Sequence, residues 1–178
     1  MTWLIPVLVV LAVIGSIYGL KPSPRDARLG QLRLDATKAG LQVRHCSFQV
    51  DAAKTGVRED ITGIGYTLVF RPPFHDDTKP QEKLLFRIVG QPGWESQGLP
   101  EGLSWHDLPG DPALGQEQRL VLAQALSADI QSALAGFPDD VLLLELYENR
   151  VSLIPAERKA ATAEAYKQAL TALSALAG

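Results

Sequence analysis

Cysteine and histidine are scarce in this sequence, and their scarcity excludes several kinds of site. The 178-residue chain contains one cysteine, Cys46, and three histidines, His45, His75 and His106. One cysteine rules out an internal disulfide framework and any zinc or iron–sulfur site that needs several thiolates. The histidines lie far apart, without the short pairings that metal sites use. We therefore predict a protein with no bound metal and no cofactor.

The sequence also lacks the motifs by which common enzymes are recognised. It contains no G-x-S-x-G elbow, and the glycines of residues 63–65 lie in a strand pattern, without the third glycine and the helix of a phosphate-binding loop. Two glycines inside a strand indicate a bulge or the close approach of another segment. The adjacent acids Asp139 and Asp140 are explained by turn formation before a strand. No catalytic residues are therefore predicted.

Charged side chains are absent from residues 2–20, which read TWLIPVLVVLAVIGSIYGL. A helix of about 20 apolar residues crosses the roughly 30 Å hydrocarbon layer of a bilayer, and the core of a signal peptide is shorter. Trp3 and Tyr18 lie near the two ends of this stretch, where aromatic side chains prefer the membrane interfaces. The stretch predicts a retained transmembrane anchor over residues 1–20, and a cleaved or buried segment is the alternative.

Basic residues are concentrated directly after this apolar stretch. Residues 21–44 carry six basic and two acidic side chains, a net charge of +4, whereas later residues carry 11 basic and 18 acidic ones, a net charge of −7. Basic segments beside a membrane span remain in the cytoplasm, so we predict a single pass with the N-terminus outside and the C-terminal domain cytoplasmic. The acidic body argues against non-specific nucleic-acid binding. The residues assigned to the anchor and its topology are Trp3, Tyr18, Lys21, Arg25, Arg28 and Arg33.

Residues 21–40 predict a basic amphipathic helix next to the membrane. Pro22 and Pro24 interrupt the first helix, and Ser23 is a good N-cap for a second helix with Pro24 at its first position. Apolar residues then recur at helical spacing, at Leu29, Leu32, Ala36 and Ala39. This helix either packs on the domain with its charges solvated or rests its basic side on anionic lipid headgroups.

The rest of the chain, residues 41–178, predicts one α+β domain in which helices pack on a mostly antiparallel sheet. A turn at Glu148 and Asn149 joins two β-rich segments into a hairpin. The continuous apolar run of the first segment indicates a central strand that is buried on both faces. The other strand candidates, which are expected to form an antiparallel meander, are residues 41–50, 61–70 and 83–90.

Two helices are predicted in this domain from apolar residues that recur with a helical period. Residues 116–135 form the first, with a core-facing stripe of Leu122, Leu126, Ile130 and Ala133. Residues 156–177 form the second, with a stripe of Ala163, Tyr166, Leu170, Leu173 and Ala177.

A long connection rich in glycine and proline covers residues 90–113, and loops of such length are usually functional or loosely ordered. Trp94, Trp105 and His106 in this connection are the candidate interaction residues. The two tryptophans either line a pocket or a partner surface, or they tie the loop onto the sheet.

Two segments carry a resemblance to a known family. The segments are PSPRDARLGQLRLDATKAGLQVR, residues 22–44, and PDDVLLLELYENRVSLI, residues 138–154. Together with the N-terminal apolar run, they resemble uncharacterised single-span inner-membrane proteins of Gram-negative bacteria, some of which are labelled YajC-like. The resemblance implies a location in the bacterial inner membrane, and it implies no particular activity.

Three hypotheses about function follow. The first is a membrane-anchored, non-enzymatic protein whose N-terminal helix contacts lipid and whose cytoplasmic domain binds a protein partner, as an adaptor or accessory subunit. The second is a periplasm-facing or exported domain that binds a small ligand, a lipid or a peptide, with the Trp94 and Trp105 loop at its mouth. The third is an unrecognised enzyme, which invariant polar residues clustered around His75, His106 and Asp107 in an alignment of relatives would favour.

Overall fold

A computed structural model describes residues 3–19, 23–56, 58–71, 83–90 and 98–177 of the chain. The chain divides into two units, Met1–Gln31 and Leu32–Gly178. Helix α1, Leu4–Gly19, lies in the first unit, and helix α2, Pro24–Lys38, crosses the boundary between the two units. The second unit contains the sheet and the remaining helices.

Helix α1 exposes large apolar side chains on every side. Five consecutive residues, from Val7 to Leu11, are each more than half exposed. Successive residues of an α-helix are about 100° apart around its axis, so five of them surround it. Trp3, directly before the helix, is 83% exposed. Within the described ranges, no helix is both long enough and apolar enough to cross a membrane.

Helix α2 begins at the predicted cap. The Asp26 backbone N–H donates to Ser23 Oγ at 3.1 Å, and the Ser23 hydroxyl donates to Asp26 Oδ2 at 2.7 Å. The cap satisfies one of the backbone donors that a helix leaves unpaired in its first turn. In the second unit, Leu32 and Ala36 of this helix are buried. The part of the apolar stripe of α2 that lies in the second unit therefore packs within that unit.

Six antiparallel strands form one sheet in the order β1-β2-β6-β5-β3-β4. The predicted α+β class is therefore confirmed. The strands are β1 Gln42–Phe48, β2 Ile61–Val69, β3 Leu84–Val89, β4 Ser104–Asp107, β5 Val141–Tyr147 and β6 Arg150–Pro155. The helices of this unit are α3 Ala52–Thr55, α4 Gln116–Leu134 and α5 Ala163–Ser174, with 3-10 turns at Pro138–Asp140 and Ala175–Ala177.

The predicted meander of the first three strands is wrong. Strand β2 pairs with β1 and β6, and β3 lies between β5 and β4, because the β5–β6 hairpin is inserted between β2 and β3. The tight turn at Glu148 and Asn149 specifies the hairpin locally, whereas the long connection from β2 to β3 specifies no pairing. Strand β5 is an interior strand, as predicted, and Val141, Leu143 and Leu144 are buried.

Helix α5 begins at Ala163 and not at Ala156, so the predicted start is wrong. Glu157 has a φ of 52°, a left-handed conformation that interrupts a helix. The helix then starts after Thr162, whose side chain accepts the Ala165 backbone N–H at 3.2 Å. Four residues of the predicted stripe are buried, namely Ala163, Tyr166, Leu170 and Leu173.

Helix α4 is rotated relative to the predicted core stripe. Leu122 is 40% exposed, so its prediction as a core residue is wrong. The buried side of α4 lies close to Gly98, where an added Cβ would lie 2.7 Å from Ser127 Oγ, and Gln131 donates to the Gly98 carbonyl at 2.8 Å. Small side chains on this side let α4 approach the backbone of Gly98. The buried residues of α4 are Ala123, Ser127, Ile130 and Leu134.

Helix α5 covers one face of the sheet. It packs on β2 and β6, and the Tyr166 ring lies 5.0 Å from the Tyr66 ring between centroids. Successive residues of a strand point to opposite faces, so Gly63 and Gly65 lie on the side of β2 away from Tyr66. We call the side of the sheet that carries Gly63, Gly65 and Phe48 the inner face.

The sheet is strongly coiled around its inner face. Phe48, at the end of β1, has its ring 4.4 Å from Arg87 Cζ on β3 and 5.1 Å from the His106 ring on β4. Strands β1 and β3 are four positions apart in the sheet, which corresponds to about 19 Å if the sheet were flat. The sheet must therefore bend until its two edges approach each other.

The two glycines of β2 make room for this bend. A Cβ added at Gly63 would lie 2.9 Å from Ile154 Cγ2, and one added at Gly65 would lie 2.8 Å from Cys46 Sγ. The close approach predicted from these glycines is therefore confirmed. A small apolar cluster fills the same face, formed by Ile61, Val89, Leu143 and Ile154.

Candidate functional site

The long connection before α4, predicted as a loop, contains the strand β4 and a β-bulge. Trp105 pairs with Ile88 and Asp107 pairs with Arg87, so His106 is an additional residue on β4. A bulge breaks the alternation of side chains along a strand. His106 and Asp107 therefore lie side by side on the inner face, with Nδ1 and Oδ2 2.9 Å apart.

His106 has a hydrogen-bond partner at each ring nitrogen. Nε2 accepts the Asp51 backbone N–H at 3.2 Å, and Nδ1 bonds to the Asp107 carboxylate. Because a backbone N–H can only donate, Nε2 carries no proton and Nδ1–H is the donor to Asp107. The His106 side chain is 5% exposed. His106 thus fastens the start of α3 to β4, and both of its nitrogens are engaged within the fold.

Asp107 lies at the centre of a network of opposite charges. It accepts from Lys54 Nζ at 2.6 Å and from Arg87 Nη1 at 2.7 Å, and Arg87 also donates to Glu145 from Nε at 2.7 Å. Burial raises the pKa of Asp107, but the hydrogen bonds from Lys54 and His106 outweigh it, so the pKa lies below its usual value. We call Lys54, Arg87, His106, Asp107 and Glu145 the arginine cluster.

Sequence reasoning missed Lys54, Arg87 and Glu145 as members of a site. A signal was present, since Arg87 and Glu145 are single charges inside otherwise apolar strands. Charged side chains in such positions are seldom buried unless they are paired. The register of β3 and β5 places Arg87 directly opposite Glu145, which the sequence pattern alone does not show.

A cleft of about 890 Å³ lies between α3, β4 and the first half of α4. Trp105 is 7% exposed and packs edge-on against Phe86, with ring centroids 5.5 Å apart. Trp105 therefore fastens β4 to the sheet while it also lines the cleft. The charged and polar side chains that line the cleft include Lys54, His106, Asp107 and Arg119.

Arg119 of α4 holds the segment after β4 against the helix. Its guanidinium donates to the carbonyl of Leu108 and, at 3.3 Å, to the carbonyl of Pro109. These bonds satisfy two backbone acceptors in a segment without regular secondary structure. They also fix the wall of the cleft next to Asp107.

The rim of the cleft on α4 is apolar and exposed. Leu114 and Leu122 meet at Gly110, where an added Cβ would lie 3.3 Å and 2.9 Å from their Cδ1 atoms. Leu114 and Leu120 both line the cleft, and exposed apolar side chains that lie together mark an interaction surface, whereas single ones are ordinary. We call four residues that are 40–65% exposed the α4 patch, namely Leu114, Leu120, Val121 and Leu122.

A second polar cluster lies beside α5 and contains Arg33. Arg33 donates to Glu157 from Nε at 3.0 Å and from Nη2 at 2.6 Å, and the Tyr66 hydroxyl donates to the same carboxylate at 2.5 Å. Asp140, predicted only as a turn residue, is buried and accepts the Tyr166 hydroxyl. Burial and these carboxylates raise the pKa of both tyrosines, which remain proton donors. We call Arg33, Tyr66, Asp140, Glu157 and Tyr166 the tyrosine cluster.

The other residues assigned from sequence are not brought together in the described structure. Arg25 is exposed and Arg28 is half-buried, both in α2. Tyr18 lies in α1, and its side chain is outside the description. The residues that lie entirely outside the described ranges are Lys21, His75 and Trp94.

Comparisons with known proteins and a search for metal sites add no further assignment. No family model, no curated protein and no solved structure matches this chain. Within the described ranges, no group of three or more His, Cys, Asp or Glu side chains is arranged to hold a metal ion. The resemblance to single-span inner-membrane proteins stays a prediction, and only the geometry of the candidate site bears on the function.

Proposed function

We propose that this protein is a membrane-anchored, non-enzymatic domain that binds a protein partner through the α4 patch and the adjoining cleft. The observation that carries the proposal is the exposure of Leu114 and Leu120 in the lining of this cleft, together with that of Leu122, which meets Leu114 at Gly110. Burial of apolar surface contributes about 25 cal/mol per Å². A partner that covers these side chains therefore gains free energy that the isolated domain does not.

Polar groups lie beside the α4 patch, and they support a specific protein–protein interface over non-specific association through apolar side chains. Lys54 and Arg119 line the cleft, and Leu114 and Leu120 of the patch line it as well. An apolar centre with a polar rim is the usual arrangement of protein–protein interfaces. Both ring nitrogens of His106 are hydrogen-bonded within the fold, which supports a binding role for this site over a catalytic one.

Membrane attachment through α1 is the second part of the proposal. Residues 2–20 carry no charged side chain, and the described part of α1 exposes apolar side chains around its circumference. A helix that is apolar all round is stable in lipid or in a protein core. The basic residues that follow favour a cytoplasmic domain, and the family resemblance supports the bacterial inner membrane.

Site-specific photo-crosslinking in cells tests the partner surface. A photoreactive amino acid at Leu114, which lines the cleft, should form an adduct with a partner, whereas the same amino acid at Ser132, an exposed position near the end of α4, should form none. Leu120→Glu combined with Leu122→Glu should abolish the adduct without changing the amount of protein in the membrane fraction. Equal adducts at both positions, or none from any residue of the α4 patch, would contradict the proposal.

A periplasm-facing or exported domain that binds a small ligand, a lipid or a peptide is the second candidate. It is favoured by the size of the cleft, about 890 Å³, which lies within the range of small-molecule sites, and by Trp105 in its lining. A reporter enzyme that is active only in the periplasm, fused to the C-terminus, separates the two candidates. We expect no reporter activity, and clear activity would favour the second candidate.

A further inference from the structure

A row of polar side chains crosses all six strands on the inner face of the sheet. Residues directly opposite each other in an antiparallel pair lie on the same side of the sheet. The row is formed by five such pairs, Gln42–Thr67, Thr67–Ser152, Ser152–Glu145, Glu145–Arg87 and Arg87–Asp107. We call these six residues the polar row.

The centre of the polar row offers neutral hydrogen-bonding groups. Thr67 Oγ1 and Ser152 Oγ lie 2.8 Å apart, on neighbouring strands. The adjacent acid, Glu145, is already paired with Arg87, whose Nη2 lies 2.6 Å from its carboxylate. The negative charge of Glu145 is therefore compensated within the fold, and it does not repel an anion placed over the hydroxyl groups.

Two further arginines flank the polar row. Arg44 is paired with Gly65 and Arg150 with Val69, and these β2 residues precede and follow Thr67 by two positions. The two arginines are thus about 13 Å apart along the strand direction. Both line one groove of about 370 Å³ together with Thr67.

This groove is a cationic region on an acidic domain. The residues after 44 carry a net charge of −7. The Arg150 guanidinium lies 4.3 Å from the centre of the Tyr147 ring, within the distance of a cation–π contact. In the described part of the chain, Arg44 forms no ion pair. Two arginines that line one groove therefore attract an anion to it, although the domain as a whole carries a net negative charge.

We propose that the groove binds an elongated small molecule with an oxyanion group at each end, of which a linear dicarboxylate is the simplest example. A guanidinium binds carboxylate or phosphate oxygens through paired N–H donors. Arg44 and Arg150 bind the two ends, and the hydroxyls of Thr67 and Ser152 face the middle of the molecule. The site uses no residue of the α4 patch, so it does not depend on the proposed protein partner.

Isothermal titration of the full chain in a neutral detergent, at constant ionic strength, tests the ligand class. The probes are the linear dicarboxylates from succinate to pimelate, bisphosphonates with the same spacers, and the monocarboxylate and monophosphonate of matching length for each. At least one dianion should bind about tenfold more tightly than its matching monoanion, a difference of about 1.4 kcal/mol. The more tightly bound series identifies the oxyanion. If no dianion binds more tightly than its monoanion, the proposal is overturned.

Substitutions at the two arginines test the site itself. Arg44→Gln and Arg150→Gln should each reduce the affinity for the dianion to that for the monoanion, while Arg150→Lys should give an intermediate affinity. Arg58→Gln is the matched control, because Arg58 is exposed and does not line the groove. Thermal unfolding of each variant confirms that it is folded. A dianion affinity that is unchanged in both arginine variants, or equally weakened by Arg58→Gln, would overturn the assignment.

Discussion

Asp140 of the tyrosine cluster and Asp107 of the arginine cluster are satisfied in different ways, whereas Glu157 of the tyrosine cluster is bound by a cation, Arg33. In the tyrosine cluster, Asp140 is 3% exposed, and its side chain accepts from the Tyr166 hydroxyl and from a backbone N–H at 2.9 Å. In the arginine cluster, the Asp107 side chain is 23% exposed, and its partners include the cations Lys54 and Arg87. The buried carboxylate of Asp140 is therefore bound by neutral donors, and the more exposed carboxylate of Asp107 is bound by cations.

The cost of removing charges from water explains this difference. An ion pair that is fully buried loses the hydration of both partners, and the attraction between them often does not recover that loss. Phenol and backbone donors lose much less hydration when they are buried. Arg33, the cation of the tyrosine cluster, has a side chain that is 37% exposed, so its charge stays in contact with water.

The largest effect should come from the buried carboxylate of the tyrosine cluster. Asp140→Asn should lower the free energy of unfolding by about 3 kcal/mol, because an amide replaces a charged acceptor of two buried donors. Urea unfolding measures the change. The adjacent Asp139→Asn is the control, since Asp139 is exposed, and it should change the free energy by less than about 0.5 kcal/mol. Equal effects of the two substitutions would contradict this role of Asp140.

A smaller loss is expected when the cation of the arginine cluster is removed. Arg87→Met should lower the free energy of unfolding by about 2 kcal/mol, because Glu145 and Asp107 then lose their shared partner. The double variant with Glu145→Met should recover most of this loss, since the unpaired acid is removed as well. A double-mutant cycle in urea measures the coupling. Simple addition of the two single effects would show that the pair does not act as a unit.

The phenol hydroxyl of Tyr66 should contribute less than either charged group. Tyr66→Phe should lower the free energy of unfolding by about 1 kcal/mol, because Glu157 keeps its bonds to Arg33. Thermal unfolding measures the loss. Tyr147→Phe on β5 is the matched control and should have an effect below about 0.5 kcal/mol. A larger effect at Tyr147 would contradict the assignment of the stabilising hydroxyl to the tyrosine cluster.

The smallest effect should be a difference in pH dependence. The pKa of Asp107 is lower in the folded state than its unfolded value of about 3.9, so ionised Asp107 stabilises the fold above that value. This contribution is lost as the pH falls below about 4 and through the folded-state pKa. Urea unfolding at a series of pH values should therefore show a steeper loss for the wild type than for Asp107→Asn. Parallel profiles would argue against a lowered pKa.

Part of the candidate site could be identified from sequence and part could not. Trp105 and His106 stand out because large polar aromatics are unusual in a connection rich in glycine and proline. Their partners do not stand out, since Arg87 and Glu145 are 58 positions apart and meet only through strand pairing. The bulge that turns His106 and Asp107 to one side depends on the register between β3 and β4, which no local pattern specifies.

Local features of this protein can be recognised in its amino-acid sequence, namely the uncharged stretch of residues 2–20, the Ser23 cap, the β5–β6 hairpin and the buried stripe of α5. Caps, turns and apolar periodicity act between residues a few positions apart, so they can be read along the chain. The strand order, the rotation of α4 and the polar row cannot be read in this way. Their free energy depends on which distant surfaces are buried together, and the close approach of Ser127 to Gly98 is one such contact.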